Sequence, residues 1–155
     1  MAQNTSSPET EHEVLLKRVG RGLQELIEAV TNAREAAAKS QGLHPTDFSC
    51  IGYLSRIGTP VSPKQIIAHL NLTSGSGTAL LDRLEAAGYT RRLPNPDDRR
   101  SLLIELNVDK AAEPLQRYRE IEQSYREVTR GFSETDLAAI ARFLEAMGTF
   151  TKQLP

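Results

Sequence analysis

Residues 62–106 constrain the fold more than any other part of the chain, because two adjacent helical patterns precede two strand patterns there. Ser62 is a suitable helix cap, and Pro63 fits the first helical turn, where its missing N–H would have no partner. After a tight turn, a second helix is expected, capped by Thr73 or Ser74. Two short helices in this order are typical of a helix-turn-helix.

Two strand patterns follow the second helix. Residues 89–93 form the first pattern, and a turn rich in Pro, Asn and Asp separates it from the second, at residues 101–107. Alternation in the second pattern places Leu102, Ile104 and Leu106 on one buried face. The sequence therefore predicts a β-hairpin after the two helices, which is the arrangement of a winged helix-turn-helix.

Longer helical patterns flank this unit, so the predicted fold class is mainly α with a small β-hairpin. One amphipathic helix is expected over residues 12–40, another from residue 44, and two more over residues 108–130 and from residue 133 onward. Their apolar stripes exceed what the small winged unit can cover. These helices are therefore expected to pack on one another or on a second copy of the chain.

Composition and charge bear more on location than on function. The formal net charge of −1 argues against non-specific binding of polyanions. Residues 46–100 nevertheless carry an excess of two positive charges, the sign expected of a nucleic-acid surface. A single cysteine, no secretory signal and no apolar run of bilayer length together predict a cytoplasmic protein without a membrane partner.

The first turns of the second helix read Ser74-Gly75-Ser76-Gly77-Thr78 and contain no bulky side chain. Such a helix can lie deep in the major groove, so Ser74, Ser76 and Thr78 are candidate DNA-binding residues. Ordinary capped surface helices also begin with small polar residues. Two glycines in one turn cost about 2 kcal/mol of helix propensity relative to Ala, and a close approach to another backbone is one way to offset that cost.

The predicted hairpin tip carries Asp98, Arg99 and Arg100, which are candidate DNA-binding residues. A guanidinium suits the narrow minor groove, where the potential of DNA is most negative. Asp98 lies two residues before Arg100 and is placed to orient it through a bidentate pair. An isolated Asp–Arg pair is usually a solvated surface ion pair, but the position beyond a helix-turn-helix favours DNA binding.

Arg83 and Arg92 are further candidates for DNA binding, each with a structural alternative. Arg83 lies in the middle of the second helix, where bracing a strand or loop is the favoured interpretation. Arg91 and Arg92 alternate on a short strand, so at most one of them faces DNA. Asp82 is placed to tie the second helix to the wing.

The sequence predicts no enzyme, no metal site and no cofactor. His12, His44 and His69 are not spaced as metal ligands, and neither a phosphate-binding Gly-rich loop nor a nucleophile motif is present. A His at the apolar edge of a helix is more often structural than a ligand. Cys50 lies within an apolar helical pattern and is expected to be a buried, structural residue.

The run HLNLTSGSGTALLDRLEAAGYTRRLPNPDDRRSLLIEL resembles the recognition helix and wing of the MarR family of transcriptional regulators. Helix order and lengths from His12 onward extend the resemblance to nearly the whole chain. It implies a homodimer, with one recognition helix per protomer in a major groove and Arg100, oriented by Asp98, in the flanking minor groove. In this family a small aromatic or phenolic ligand, or thiol oxidation, often modulates DNA binding.

Residues 1–11 are polar and have no apolar period, so they are expected to be a flexible leader. For the rest of the chain, the resemblance implies an N-terminal dimerisation helix, a winged helix-turn-helix DNA-binding unit and C-terminal dimerisation helices, at residues 12–41, 42–107 and 108–155.

Two departures from the family pattern limit what can be carried over. Gly75 and Gly77 replace bulkier residues, so base contacts from the helix are expected to be sparse. Cys50 lies in the second helix, whereas peroxide-sensing members keep a reactive Cys near the start of the first.

The sequence thus predicts a regulator that binds double-stranded DNA sequence-specifically and acts as a homodimeric repressor on a pseudo-palindromic operator. The two recognition helices would lie about one DNA turn, ~34 Å, apart, and a small-molecule ligand would release the protein. The alternative is a winged-helix protein-interaction module without specific DNA binding. Loss of specific duplex binding in Arg100→Ala distinguishes the two.

Overall fold

The computed structural model describes residues 10–151, apart from the side chains of residues 121 and 122. Most of the leader predicted at residues 1–11 lies outside the described residues. The described chain forms six helices and one two-stranded sheet. Their order is α1 (Glu11–Ser40), α2 (Pro45–Ile57), α3 (Pro63–His69), α4 (Ser74–Ala86), β1 (Thr90–Pro94), β2 (Leu102–Leu106), α5 (Ala112–Thr129) and α6 (Glu134–Thr151). The predicted fold class, mainly α with a small β-hairpin, is confirmed.

Side-chain caps begin α2, α3 and α6 where the sequence predicts them. Ser62 Oγ accepts the backbone N–H of Gln65 at 3.3 Å, and the Gln65 side chain accepts the N–H of Ser62 at 2.9 Å. Ser133 and Asp136 form the same reciprocal pair at α6. An imidazole nitrogen of His44 accepts a backbone N–H in the first turn of α2. These bonds satisfy helix N–H groups that would otherwise be unpaired.

The core of the winged unit is formed by α2, α3, α4 and β2. Its most deeply buried large side chains are Phe48, Ile51, Leu54, Ile66, Leu80, Leu81, Leu84 and Ile104. Burial of one such side chain contributes roughly 1.5–3 kcal/mol. Because the buried leucines of α4 share one face, its opposite face is held towards solvent.

Strands β1 and β2 pair antiparallel, with Arg92 opposite Ile104. Val61, just before α3, adds a bridge in which Val61 and Ile104 exchange backbone hydrogen bonds of 3.0 and 2.7 Å. Ile104 is fully buried, but Leu102, predicted to share its buried face, is 44% exposed. Leu102 pairs with Pro94 at the tip end of the hairpin, two residues away from the rung that Val61 covers.

The helix after the hairpin begins four residues later than the sequence predicts. Residues 108–111 form turns, and Val108 is exposed. In this segment Asn107 Oδ1 accepts the N–H of Lys110 at 3.2 Å, and its Nδ2 donates to the Gly88 carbonyl at 3.1 Å, which ties the turn to the end of α4.

The described chain separates into two compact units, which meet in sequence between Pro114 and Leu115. In the first unit, α1 packs against α2 but leaves a long apolar face exposed, formed by Val14, Leu15, Leu16, Val19, Leu26 and Ile27. In the second unit, α6 buries none of its residues and exposes Ile140, Phe143, Leu144 and Phe150. Among the described helices, none is long and apolar enough to cross a membrane.

Candidate nucleic-acid interface

The first turns of α4 present small polar groups to solvent. Thr73 caps the helix, since its Oγ1 accepts the N–H of Ser76 at 3.3 Å and donates to the Ser76 hydroxyl at 3.0 Å. Thr78 Oγ1 donates to the Ser74 carbonyl at 2.9 Å. Ser74, Ser76 and Thr78 are all exposed. Their hydroxyl oxygens therefore remain available as acceptors on an open helix face.

The two glycines of this turn lie in different surroundings. A Cβ at Gly77 would overlap Cγ1 of Ile67 and lie 2.6 Å from its Cδ1, so Gly77 lets α3 and α4 pack closely. A Cβ at Gly75 would meet nothing within 4 Å. The close approach that the sequence suggested thus exists at Gly77, with a side chain rather than a backbone, and Gly75 lies in open space.

The wing tip is held by hydrogen bonds within itself. Asn95 Nδ2 donates to Ser101 Oγ at 2.8 Å, and the Ser101 N–H donates to the Asp98 carbonyl at 3.0 Å. The N–H of Arg100 donates to Asp98 Oδ1 at 2.9 Å. Asp98 therefore orders the backbone that carries Arg100, and the bidentate side-chain pair suggested by the sequence is not formed.

Arg99 and Arg100 are both exposed at this tip. Neither guanidinium forms a hydrogen bond or ion pair with any residue that the structure describes. Two unpaired guanidinium groups on a loop held by internal hydrogen bonds are available to a phosphate or a base edge outside the chain.

Arg83, by contrast, is committed to an internal contact. Its Nη2 donates to Asp47 Oδ1 at 2.6 Å and its Nε to Asp47 Oδ2 at 3.2 Å. Asp47 lies in the first turn of α2, and its side chain is 8% exposed. This fork ties α4 to α2, so Arg83 has a bracing role, but it braces a helix and not the strand or loop expected from the sequence. The sequence carried no sign of Asp47 as the partner, because the two residues are 36 positions apart.

Arg92 is engaged in the same manner at the base of the wing. Its Nη2 donates to Asp82 Oδ1 at 2.5 Å, and its Nη1 donates to Glu85 Oε2. The predicted tie between Asp82 and the wing is therefore present, and Glu85 was missed as its second member. Arg91, on the same strand, pairs across the hairpin with Glu105.

Cys50, three residues after Asp47 on α2, is fully buried. Burial, with a smaller contribution from the Asp47 charge, raises the pKa of the Cys50 thiol to about 12. The thiol is therefore protonated near neutral pH, and a protonated, buried thiol is a poor nucleophile towards oxidants. This environment agrees with the structural role expected from the sequence.

A surface cluster that the sequence did not indicate joins α2 to α3. The rings of Tyr53 and His69 stack with centroids 3.9 Å apart, and Arg56 Nη2 lies 3.4 Å from His69 Nε2. Burial first, and then the Arg56 charge, lower the pKa of His69 below its usual value. The described residues contain no group of three or more His, Cys, Asp or Glu side chains placed to hold a metal.

Comparison with known proteins identifies the family to which the chain is similar. A model described as MarR family matches residues 41–101. An uncharacterized HTH-type transcriptional regulator, YcgE of Bacillus subtilis (strain 168), is 34% identical over 110 residues, which are 71% of each chain. The HTH-type transcriptional regulator PecS of Dickeya dadantii (strain 3937) is 35% identical over 96 residues, covering 61% of this chain and 58% of PecS.

A solved structure supports the same fold. FabT of Streptococcus pneumoniae, in complex with DNA, superposes with a TM-score of 0.74 at 21% identity, covering 90% of this chain and 99% of FabT. YcgE and PecS are both named as HTH-type transcriptional regulators. From its winged helix-turn-helix and its similarity to a regulator over 71% of that protein's length, the chain belongs to the MarR family of transcriptional regulators.

Proposed function

We propose that this regulator binds double-stranded DNA sequence-specifically, with α4 in the major groove and the wing tip in the adjacent minor groove. The observation that carries this proposal is that the arginines of the winged unit fall into two groups. Arg99 and Arg100 at the tip are exposed and unpaired among the described residues, whereas Arg83, Arg91 and Arg92 all form internal ion pairs.

The proposed contacts follow from these two groups. Arg100 and Arg99 contact the minor groove and its phosphates, where the negative potential favours a guanidinium. Ser74, Ser76 and Thr78 contact phosphates or base edges from the exposed face of α4. Arg83, Arg92 and Asp98 belong to the interface as residues that hold its parts in place. FabT, which shares this fold, was solved in complex with DNA, and this supports DNA as the ligand.

We further propose that the chain acts as a homodimer, with α1, α5 and α6 as the dimerisation helices and residues 42–107 as the DNA-binding unit. The apolar faces of α1 and α6 support this, since exposed apolar surface of that extent usually marks a protein interface. A two-fold dimer presents two recognition helices to a pseudo-palindromic operator, about one DNA turn or ~34 Å apart.

Repression and release by a small aromatic or phenolic effector complete the proposal, and the family supports both. An effector can act only by binding the DNA-free and DNA-bound conformations with different affinity. Isothermal titration of phenolic compounds into the free protein and into its DNA complex measures that difference directly. Equal affinities for the two forms would remove the effector from the proposal. A cytoplasmic location remains a prediction.

Arg100→Ala is the variant that tests DNA binding. The wild type first selects its preferred duplex from a random-sequence library, and fluorescence anisotropy then measures affinity for that duplex. We expect Arg100→Ala to weaken binding by about tenfold or more, because a direct groove contact is worth about 1–3 kcal/mol. Arg91→Ala is the matched control, since it removes the same charge from the same hairpin but leaves the tip intact. We expect that control to weaken binding by less than about threefold. A protein that selects no duplex would instead support an interaction module.

A further inference from the structure

We propose that Arg92 is a positioning residue for DNA binding. Arg92 binds both Asp82 and Glu85, so it ties β1 to α4 and fixes the angle between the wing and α4. That angle sets where Arg100 meets the minor groove. This inference rests on the proposed function. According to this inference, Arg92 does not contact DNA itself but acts by positioning Arg100.

The geometry of the pair is that of a fork. The two terminal nitrogens of Arg92 each take a different carboxylate, Asp82 and Glu85, which lie three residues apart on the same face of α4. A planar guanidinium held at both ends resists rotation as well as separation. The Arg92 side chain is 32% exposed, against 69% for Arg91 on the same strand, so it lies against α4 and not in free solvent.

The fork lies on the rung where the hairpin can pivot. Arg92 pairs in register with Ile104, and Ile104 is the residue that Val61 holds by two backbone hydrogen bonds. The Arg92 fork and the Val61 bridge therefore share one rung of the hairpin. With the fork removed, the Val61 bridge still holds β2, but β1 loses its ion pairs to α4. The bridge then becomes a hinge about which the wing can tilt.

The length of the wing amplifies a small tilt. Arg100 lies four residues before Ile104, towards the wing tip, at most about 13 Å along an extended strand. A tilt of about 10° over that length displaces the guanidinium by roughly 2 Å, which is more than a hydrogen bond tolerates. The tip itself stays rigid through its internal bonds. The fork therefore controls the placement of Arg100 and not the conformation of the tip.

Electrostatics and positioning predict opposite effects for the two acidic partners. Asp82 and Glu85 add negative charge to the recognition helix, so their removal should strengthen DNA binding if charge alone mattered. If the fork positions the wing, removal of the two acids should instead abolish the contribution of Arg100 to DNA affinity. The two explanations therefore separate in a single double-mutant cycle.

The experiment measures the effect of Arg100→Ala in two backgrounds, the wild type and the Asp82→Ala/Glu85→Ala double variant, on the duplex that the wild type selects. In the wild type we expect a loss of about tenfold or more and a salt dependence lowered by about one phosphate contact. In the double variant we expect a loss of less than about threefold and no further change in salt dependence. Arg91→Ala/Glu105→Ala is the control background, in which Arg100→Ala should keep its full effect.

Arg92→Lys gives a second, charge-conserving test, because an ammonium group lacks the planar fork that bridges two carboxylates. We expect it too to reduce the Arg100→Ala factor, and this variant decides the matter if the double variant fails to fold by circular dichroism. An Arg100→Ala factor equal to that of the wild type in the folded variants would overturn the inference alone. A wild type that selects no duplex, or an Arg100→Ala variant that binds like the wild type, would overturn the proposed function and the inference with it.

Discussion

The winged unit and α6 carry comparable apolar stripes, but they bury them to different extents. In the winged unit, Leu84 is 1% exposed and Phe48 and Ile66 are fully buried. In α6, Leu144 is 49% exposed and Phe150 is 56% exposed. The residue types do not explain the contrast, because both elements space leucine, isoleucine and phenylalanine at helical intervals.

The difference shows which part of the chain buries its own apolar side chains. The winged unit gathers three helices and a strand around one core, and that core holds α4 and the wing in a defined relation. The α6 helix, in contrast, has no buried residue. A helix with an uncovered apolar face gains its stability from a partner surface, which is why we assign that face to the second copy in the proposed dimer.

The largest expected effect contrasts Leu84→Ala with Leu144→Ala. Leu84→Ala should lower the free energy of unfolding by about 2–5 kcal/mol at every protein concentration, because it empties part of a closed core. Leu144→Ala should lower the free energy of unfolding less at low than at high protein concentration, because the Leu144 side chain is buried only in the proposed dimer. Urea denaturation at two concentrations measures both. A concentration-independent loss for Leu144→Ala would contradict the dimer.

A smaller effect tests how tightly the winged unit is packed. Gly77→Ala should lower the free energy of unfolding by about 1 kcal/mol, because overlap with Ile67 costs about 1–3 kcal/mol and improved helix propensity returns about 1 kcal/mol. Gly75→Ala, the matched control two residues away, meets open space and should raise it by up to about 1 kcal/mol. Thermal unfolding followed by circular dichroism measures whether each variant is more or less stable than the wild type. Stabilisation by both changes would show that α3 moves aside readily.

The smallest expected effect is a pH dependence from His69. The folded protein lowers the pKa of His69, so the unfolded chain binds more protons as the pH falls. Stability from the neutral imidazole is therefore fully present above the usual pKa of 6.5 and is lost as the pH falls below it. His69→Gln should have a flatter profile of melting temperature against pH between about 8 and 5. Identical profiles would show that the cluster with Tyr53 and Arg56 does not couple protonation to folding.

The wing shows where prediction from sequence succeeded and where it stopped. The tip residues Arg99 and Arg100 could be identified from sequence, because turn chemistry and strand alternation are local properties. The role of Arg92 could not, because its partners lie on another element and are fixed only when β1 packs against α4. Leu102 was misassigned for a related reason: alternation defines the face of a strand but not how far the core extends along it.

By itself, the sequence determined the helix-turn-helix and the hairpin, the caps at Ser62 and Ser133, and the family resemblance. Each depends on residues within a few positions of one another, where propensity and hydrogen bonding act directly. Only the tertiary structure decided which arginines are free, what Gly77 accommodates and where α5 begins. Those outcomes depend on contacts between elements distant in the chain, such as Asp47 with Arg83, and no local pattern encodes them.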